Sequence, residues 1–271
     1  MKDKVVLITG ASSGIGLAIA KLLLKNNYIV YGSARSTDKM SELQASGGSI
    51  LDMDVTSDLS VSDGVNTIVK EHGRIDILVN NAGYGLYGAL ENVAIEEAKK
   101  QLDVNVFGLA RVIQCILPVM RAQKEGKIIN ISSIAGKLTS PMGSWYFASK
   151  HAVEGLSDSL RQELKPFGID VIIIEPGGVK SGWADIAANH LTENSKDTPY
   201  YSQAKKVTTK FPFIKKENAN PEVIANLILK SIIAKNPKTR YIGGANAKFF
   251  LFARKILSDK LFDKVVLTQY K

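Results

Sequence analysis

The 271-residue chain holds one cysteine, Cys115, which excludes an intramolecular disulfide and a cysteine-rich metal centre together. Cys115 sits in an apolar helical pattern with Val112, Ile113, Ile116 and Leu117, where a small buried hydrophobe is expected. The missing disulfide framework fits a reducing compartment. His72, His151 and His190 are scattered without metal-ligand spacing, so no metal site is expected. Eight prolines and 22 glycines exclude collagen-like and low-complexity chains. Met1-Lys2-Asp3-Lys4 runs straight into Val5-Val6-Leu7-Ile8, without the order of a signal peptide. No apolar run approaches the ~18 residues of a membrane span. These absences together predict a soluble cytoplasmic protein.

What is present is ordinary globular composition, 45% hydrophobic and 23% charged. No linker or internal repeat divides the chain, so residues 1–271 read as one domain. The net charge of +9 is unevenly placed. Residues 1–195 carry 19 Lys and Arg against 21 Asp and Glu, net −2, whereas residues 196–271 carry 16 against 5, net +11. That excess lacks a nucleic-acid reading motif, and no nucleic-acid partner is expected.

Short apolar runs alternate with helical patterns over the first two-thirds. The strand-like runs are Val5–Thr9, Ile29–Ala34, Ile50–Val55, Ile75–Asn80, Lys127–Ser132 and Asp170–Glu175, with a last one at Thr239–Ile242. Long helices are expected at Val104–Met120 and Trp145–Lys165. This rhythm predicts an α/β fold, a parallel sheet covered on both faces. After Pro176 the rhythm breaks, and residues 177–216 read as an irregular substrate lid. Pro221 then opens a helix, and residues 245–271 form a basic, apolar extension.

Three motifs carry chemistry. Thr9-Gly10-Ala11-Ser12-Ser13-Gly14-Ile15-Gly16 joins the first strand to the first helix. Glycines there allow a tight turn and bring backbone N–H groups to a pyrophosphate. Their spacing is G-x-x-x-G-x-G, and a ligand-free turn stays open on this motif alone. Asn80-Asn81-Ala82-Gly83 ends the fourth strand, on the edge where open α/β sheets bind ligands. Tyr146 and Lys150 stand four residues apart on one helix face, thirteen residues beyond Ser133. A free tyrosine titrates near pH 10, and a neighbouring cation is expected to lower that value.

Together with Asp54-Val55, Asn105 and Pro176-Gly177, these motifs resemble the short-chain dehydrogenase/reductase family in order and approximate spacing, from Lys4 to about Ser181. The resemblance implies a Rossmann-type doubly wound sheet of seven strands, and hydride transfer between a nicotinamide cofactor and a carbonyl/alcohol pair. It implies that Tyr146 is the acid/base and that Lys150 lowers its pKa and holds the nicotinamide ribose. Ser133 would bond the substrate oxygen, with Ser132 as its neighbouring competitor. Asn105 would hold a water in a proton relay. Asp54 and Val55 would contact the adenine. Gly10, Ser12, Ser13, Gly14, Ile15 and Gly16 would hold the pyrophosphate; Asn81, Ala82, Gly83, Pro176, Gly177, Val179 and Ser181 complete the cofactor contacts. Family members commonly associate through the two long helices, which implies a homodimer or homotetramer.

Charge bears on the cofactor. The residue 20 beyond Gly14 is Ala34, followed by Arg35, where an NAD-selective fold carries an acid. Arg35 suits a 2′-phosphate, so NADP is preferred and NAD stays the alternative. Asp38 reads as a displaced acid or a helix cap. Tyr84, Leu86, Tyr87, Leu138, Met142 and Trp183 are the expected wall of a hydrophobic pocket, for a ketone, aldehyde or secondary alcohol. The segment from Pro221 onward resembles family members acting on steroid-, retinoid- or lipid-like substrates. A non-catalytic dinucleotide sensor is the rival reading, although such proteins usually lack the tyrosine or lysine. The aromatic and cationic residues of Lys248–Lys264 suit either an interfacial helix on a membrane or a stripe packed on the domain.

Overall fold

In the computed structural model, which describes residues 3–208 and 218–268, seven apolar segments form one parallel sheet. They are β1 Val5–Thr9, β2 Ile29–Ala34, β3 Ser49–Asp52, β4 Ile77–Asn80, β5 Gly126–Ile131, β6 Ile169–Pro176 and β7 Arg240–Gly243. The order is β3-β2-β1-β4-β5-β6-β7, with every neighbouring pair parallel. The chain winds outward from β1 to β3, crosses back to β4, and winds outward again. This is the expected doubly wound arrangement, and β1 and β4 flank its switch point.

Strand periodicity explains the two cores. Successive side chains point to opposite faces, so Val5 and Leu7 fall on one side and Val6 and Ile8 on the other. The first face is covered by α3 (Asp58–His72), α5 (Leu109–Gln123) and α6 (Ser144–Leu164), through residues such as Ile68, Ile116 and Val153. The second face is covered by α1 (Gly14–Lys25) and α9 (Glu222–Ile233), through Ile19, Leu23, Ile224 and Ile228. Both faces are dry, which is why the strands read as continuous apolar runs. The remaining helices are α2 (Ser41–Ala45), α4 (Ile95–Leu102), α7 (Trp183–Ser195), α8 (residues 201–208), α10 (Ala247–Ile256) and α11 (Asp259–Thr268).

Four expectations need correction. The third strand stops at Asp52 instead of Val55. The Met53 N–H still reaches the Ala34 carbonyl at 3.1 Å, but Thr56 donates to the Asp54 carboxylate through its N–H (2.9 Å) and its hydroxyl (2.8 Å), and this local turn ends the ladder there. The fourth strand starts at Ile77 instead of Ile75: the Gln123 side-chain amide takes both the N–H and the carbonyl of Ile75 at 3.0 Å, and the Asp76 carboxylate accepts the Val5 N–H at 2.8 Å. Much of the lid is helical, over 183–195 and 201–208: Ala184, Ala187, Leu191 and Ser195 form a buried stripe on α7, and Ala204 and Val207 of α8 pack beside Leu191. Its polar outer face of Asp, Asn, Thr and Glu hid that stripe; residues 209–216 of the expected lid lie outside the described residues. Finally, α4 and α5 are joined by a π-helical stretch, Asp103–Gly108, into a 29-residue helix from Ile95 to Gln123, long and apolar enough to cross a membrane. Leu109, Val112, Ile113, Ile116 and Met120 bury it against the sheet, as expected of a core helix.

Candidate active site

A cleft of about 1120 Å³ runs along the carboxyl edge of the sheet. The ends of six strands line it, through Gly10, Ala34, Met53, Asn81, Ser133 and Pro176 among others. At its centre lies the glycine turn. Gly10 and Gly14 have φ of +66° and +54°, a region that disfavours side chains. A Cβ on Gly16 would stand 2.3 Å from the Gly10 carbonyl oxygen, and one on Gly10 would stand 2.9 Å from the Ala82 Cα. The glycines therefore let the turn close on the end of β4.

That closure is fastened from both sides. Asn81 donates its side-chain amide to the carbonyls of Thr9 (3.0 Å) and Gly10 (2.9 Å). The N–H groups of Asn81 and Ala82 both reach the Thr9 hydroxyl at 3.0 Å. Thr9 lies outside the expected site residues; a hydroxyl at the end of an apolar strand is the signal that would mark it. Ser13 precedes α1 without a side-chain cap, and the first turn carries no acid. Its free N–H groups and Ser12, Ser13, Gly14 and Ile15 face the cleft, while Gly16 packs beneath them. A helix N-terminus of this kind favours an anion.

Arg35 is exposed on the cleft, as is Lys39, a cation that no motif of the sequence singles out. Asp38 lies in the first turn of a 3₁₀ helix behind Ser36, so it is not the cap, and it is not among the residues lining the cleft. Asp54 and Val55 line the opposite wall, where Arg111 holds the Val55 carbonyl at 2.7 Å. Pro176, Gly177, Val179 and Ser181 form the other rim; a Cβ on Gly14 would stand 3.2 Å from that of Ser181.

The tyrosine group occupies the inner end. Tyr146 is buried, with its ring 5.1 Å from that of Trp183 and 5.9 Å from those of Tyr87 and Phe147. The backbone at Ser133 is extended at the end of β5. Its hydroxyl accepts the Ala135 N–H at 3.1 Å and donates to the Pro176 carbonyl at 3.3 Å. Lys150 Nζ donates to the Ile131 carbonyl at 2.9 Å. Burial pushes the Tyr146 phenol up to about 12, with Ser133 pulling the other way, and burial takes the Lys150 ammonium down to about 8. The expected lowering of Tyr146 by Lys150 is not found; desolvation penalises both charged forms and dominates both groups. Ser132 also lines the cleft, but its hydroxyl is buried and finds no partner among the described residues.

Asn105 lies in the π-helical stretch, buried, and its side chain is fully engaged. It accepts the Tyr84 N–H at 3.1 Å and donates to the Tyr84 carbonyl (3.0 Å) and the Ser149 hydroxyl (3.1 Å). It braces the loop after β4 against α6 and is not among the residues lining the cleft. Of the expected hydrophobic wall, Tyr84, Tyr87, Leu138 and Trp183 line the cleft. Leu86 and Met142 do not: Leu86 packs in the core with Val93 and Ala98, and Met142 packs with Leu191 and Ala204. His190 joins the lining, as do Phe250 and Val266 of the C-terminal extension. The described residues hold no cluster of ligands for a metal.

Behind Lys150 the fold buries a charged group that the sequence did not announce. Glu154, one turn along α6, is held by Lys137 (2.9 Å) and Arg240 (2.9 Å). Arg240 also reaches Asp158 (2.7 Å) and Glu175 (3.3 Å). Burial, and then the neighbouring Glu154 charge, pushes the Glu175 carboxyl up to about 7.

Comparison with known proteins matches this geometry to a family. The short chain dehydrogenase family model matches residues 4–191. A 3-ketodihydrosphingosine reductase of Bacteroides thetaiotaomicron is 38% identical, over 89% of this chain and 87% of its own. An NADPH-dependent 3-dehydrocapnine reductase of Ornithobacterium rhinotracheale is 35% identical, over 98% and 96%. The crystal structure of a short-chain dehydrogenase from Streptomyces avermitilis superposes with a TM-score of 0.83 at 30% identity, covering 100% of this chain and 96% of that one. With the glycine turn, the Tyr146–Lys150 pair and the doubly wound sheet in one cleft, the chain belongs to the short-chain dehydrogenase/reductase family of oxidoreductases.

Proposed function

We propose that this protein is an NADP(H)-dependent reductase of a hydrophobic, lipid-like carbonyl compound, with Tyr146 as its proton donor. One observation carries the reading: the Tyr146 phenol, walled by Trp183, Tyr87 and Phe147, shares one cleft with Ser133, Lys150 and the glycine turn. The Gly10–Gly16 turn, which closes on the end of β4 only because Gly16 has no Cβ and which turns residues 12–15 to the cleft, fits a dinucleotide. When bound, the nicotinamide supplies the hydride for reduction. Residues 12–15 would hold its pyrophosphate, Asp54 and Val55 its adenine, and Arg35 with Lys39 a 2′-phosphate. Asn81, Ala82, Gly83, Pro176, Gly177, Val179 and Ser181 would hold the nicotinamide half, with Lys150 on its ribose.

Tyr146 then gives its proton to the substrate oxygen as negative charge develops there. With its pKa pushed to about 12, the phenol keeps its proton at neutral pH, the form that a donor needs. Ser133 turns its hydroxyl from the long Pro176 contact to the same oxygen. Lys150 holds positive charge beside the phenolate left behind, and Asn105 keeps the loop and α6 in register around a relay water. The relatives' names, a 3-ketodihydrosphingosine reductase and an NADPH-dependent 3-dehydrocapnine reductase, support carbonyl reduction with NADPH. A homodimer or homotetramer through α5 and α6 belongs to the same proposal.

The test is a set of lipophilic ketones with NADPH, followed by nicotinamide absorbance. Tyr146→Phe keeps the ring and removes the proton, so turnover should fall about 10²–10⁴-fold while NADPH affinity holds. Near-normal turnover in a folded Tyr146→Phe protein would refute the assignment.

A further inference from the structure

The C-terminal helices α10 and α11 have two faces with opposite destinations. On the inner face, Ala253, Phe262 and Val266 form a small core with Leu138 and Leu257. Phe250 and Val266 continue from it into the cleft. On the outer face, Phe249 and Phe252 are each 63% exposed and Ile256 is 62% exposed. Their i, i+3, i+7 spacing lines them up as one stripe along α10. Leu261, half exposed, stands at the start of α11. The stripe is tied to the cleft directly, since the Phe249 ring packs edge-on at 5.4 Å against Phe250.

The charge around the stripe is one-sided. Lys248, Lys255, Lys260 and Lys264 are exposed and form no ion pair with another described residue. Arg254 is engaged inward, paired with Asp259 at 2.8 Å and stacked over Phe262. Asp263 is the remaining acid on the two helices.

We infer that the α10–α11 pair seats this protein on an anionic bilayer surface, with Phe249, Phe252 and Ile256 dipping below the headgroups and the four lysines at the phosphates. An exposed apolar stripe flanked by unpaired cations is the composition of an interfacial helix. A second copy of the chain fits this face poorly: two-fold pairing would bring each set of lysines against its own copy, and lysine is depleted at such interfaces. The consequence concerns the substrate. A lipid-like carbonyl would pass from the bilayer along Phe249 and Phe250 into the cleft without crossing water. That consequence rests on the proposed function; the docking itself does not.

Sedimentation of the full-length protein with lipid vesicles, without substrate or cofactor, tests the docking. Binding is expected to phosphatidylserine-containing vesicles, to fall with added salt, and to be weak on pure phosphatidylcholine. Phe249→Ser/Phe252→Ser should lower the partition coefficient at least about tenfold. Lys248→Gln/Lys255→Gln should lower it about 30-fold, and this variant carries the test if the serine variant unfolds by circular dichroism. Equal binding to both vesicle types, or unchanged binding by the lysine variant, overturns the docking. So does absence of binding to either vesicle, and a wild-type dimer that the serine variant splits on a sizing column would then give the stripe to a second copy. Vesicle binding with no ketone turnover would count against the proposed reaction and leave the docking intact.

Discussion

Arg35 illustrates how far a single residue reads from sequence. Its position beyond the glycines marked it for a 2′-phosphate, and the structure puts it on the cleft, as it does Lys39. The distance between those two side chains and a ligand is not a matter of spacing in the chain, which is why no motif singles out Lys39. Arg35→Ala should weaken NADPH binding by about 1.5–3 kcal/mol and leave NADH nearly unchanged, measured by fluorescence titration of both cofactors. Equal loss for both would remove Arg35 from the 2′-phosphate site. The Glu154–Glu175–Arg240 group lies at the opposite extreme. Its members come from α6, β6 and β7, up to 86 positions apart, and each alone reads as an ordinary charge. Glu175 has its folded pKa raised from near 4.5 to about 7, so it binds its proton more tightly folded than unfolded. Its contribution to stability is full below about pH 4.5 and is lost as pH rises through 7. Urea melts at pH 5 and pH 8 should show wild type losing up to about 3 kcal/mol more than Glu175→Gln across that interval. An identical pH dependence in the two proteins would contradict a buried, neutral Glu175.

At the scale of elements, legibility followed how much of the pattern was apolar. The sheet strands are buried on both faces, so Val5–Thr9 and Ile29–Ala34 were bounded correctly from composition alone. The ends of β3 and β4 were not, because side-chain bonds of Asp54, Asp76 and Gln123 set them. The lid was misjudged for a different reason. Its helices α7 and α8 bury a narrow stripe of small residues, Ala184, Ala187 and Ala204, which carries little hydrophobic signal. The glycine turn was the most legible element, since its conformation demands its residues. Gly16 leads straight to a prediction: an added methyl group would meet the Gly10 carbonyl oxygen at 2.3 Å, and backbone cannot yield cheaply. Gly16→Ala should cost about 1–3 kcal/mol of stability by overpacking. It should also weaken cofactor binding at least about tenfold, because the turn must open away from Asn81. Melting curves and titration check both effects, and a variant with normal melting and normal affinity would show that the turn is looser than drawn.

The whole molecule places its chemistry where its two winding halves meet. β1 and β4 diverge at the switch point, and the cleft takes residues from the ends of β1 through β6. A ligand lying along that edge touches both halves, so its binding energy adds to the stability of the entire domain rather than of one loop. By mass action, a cofactor at 100 times its dissociation constant adds about 2.7 kcal/mol. For a domain of this size each kcal/mol moves the melting point by roughly 2–4 °C. NADPH should therefore raise the melting temperature by roughly 5–10 °C under those conditions. At the same concentration NADH should raise it less on the proposed reading, since Ala34 and Arg35 stand where an acid would hold the ribose hydroxyls and Asp38 is not among the residues lining the cleft. The experiment needs no knowledge of the substrate, which makes it independent of the lipid-like reading. Equal shifts with the two cofactors would argue for NAD as the natural partner, and no shift with either would return the cleft to a fold without its cofactor.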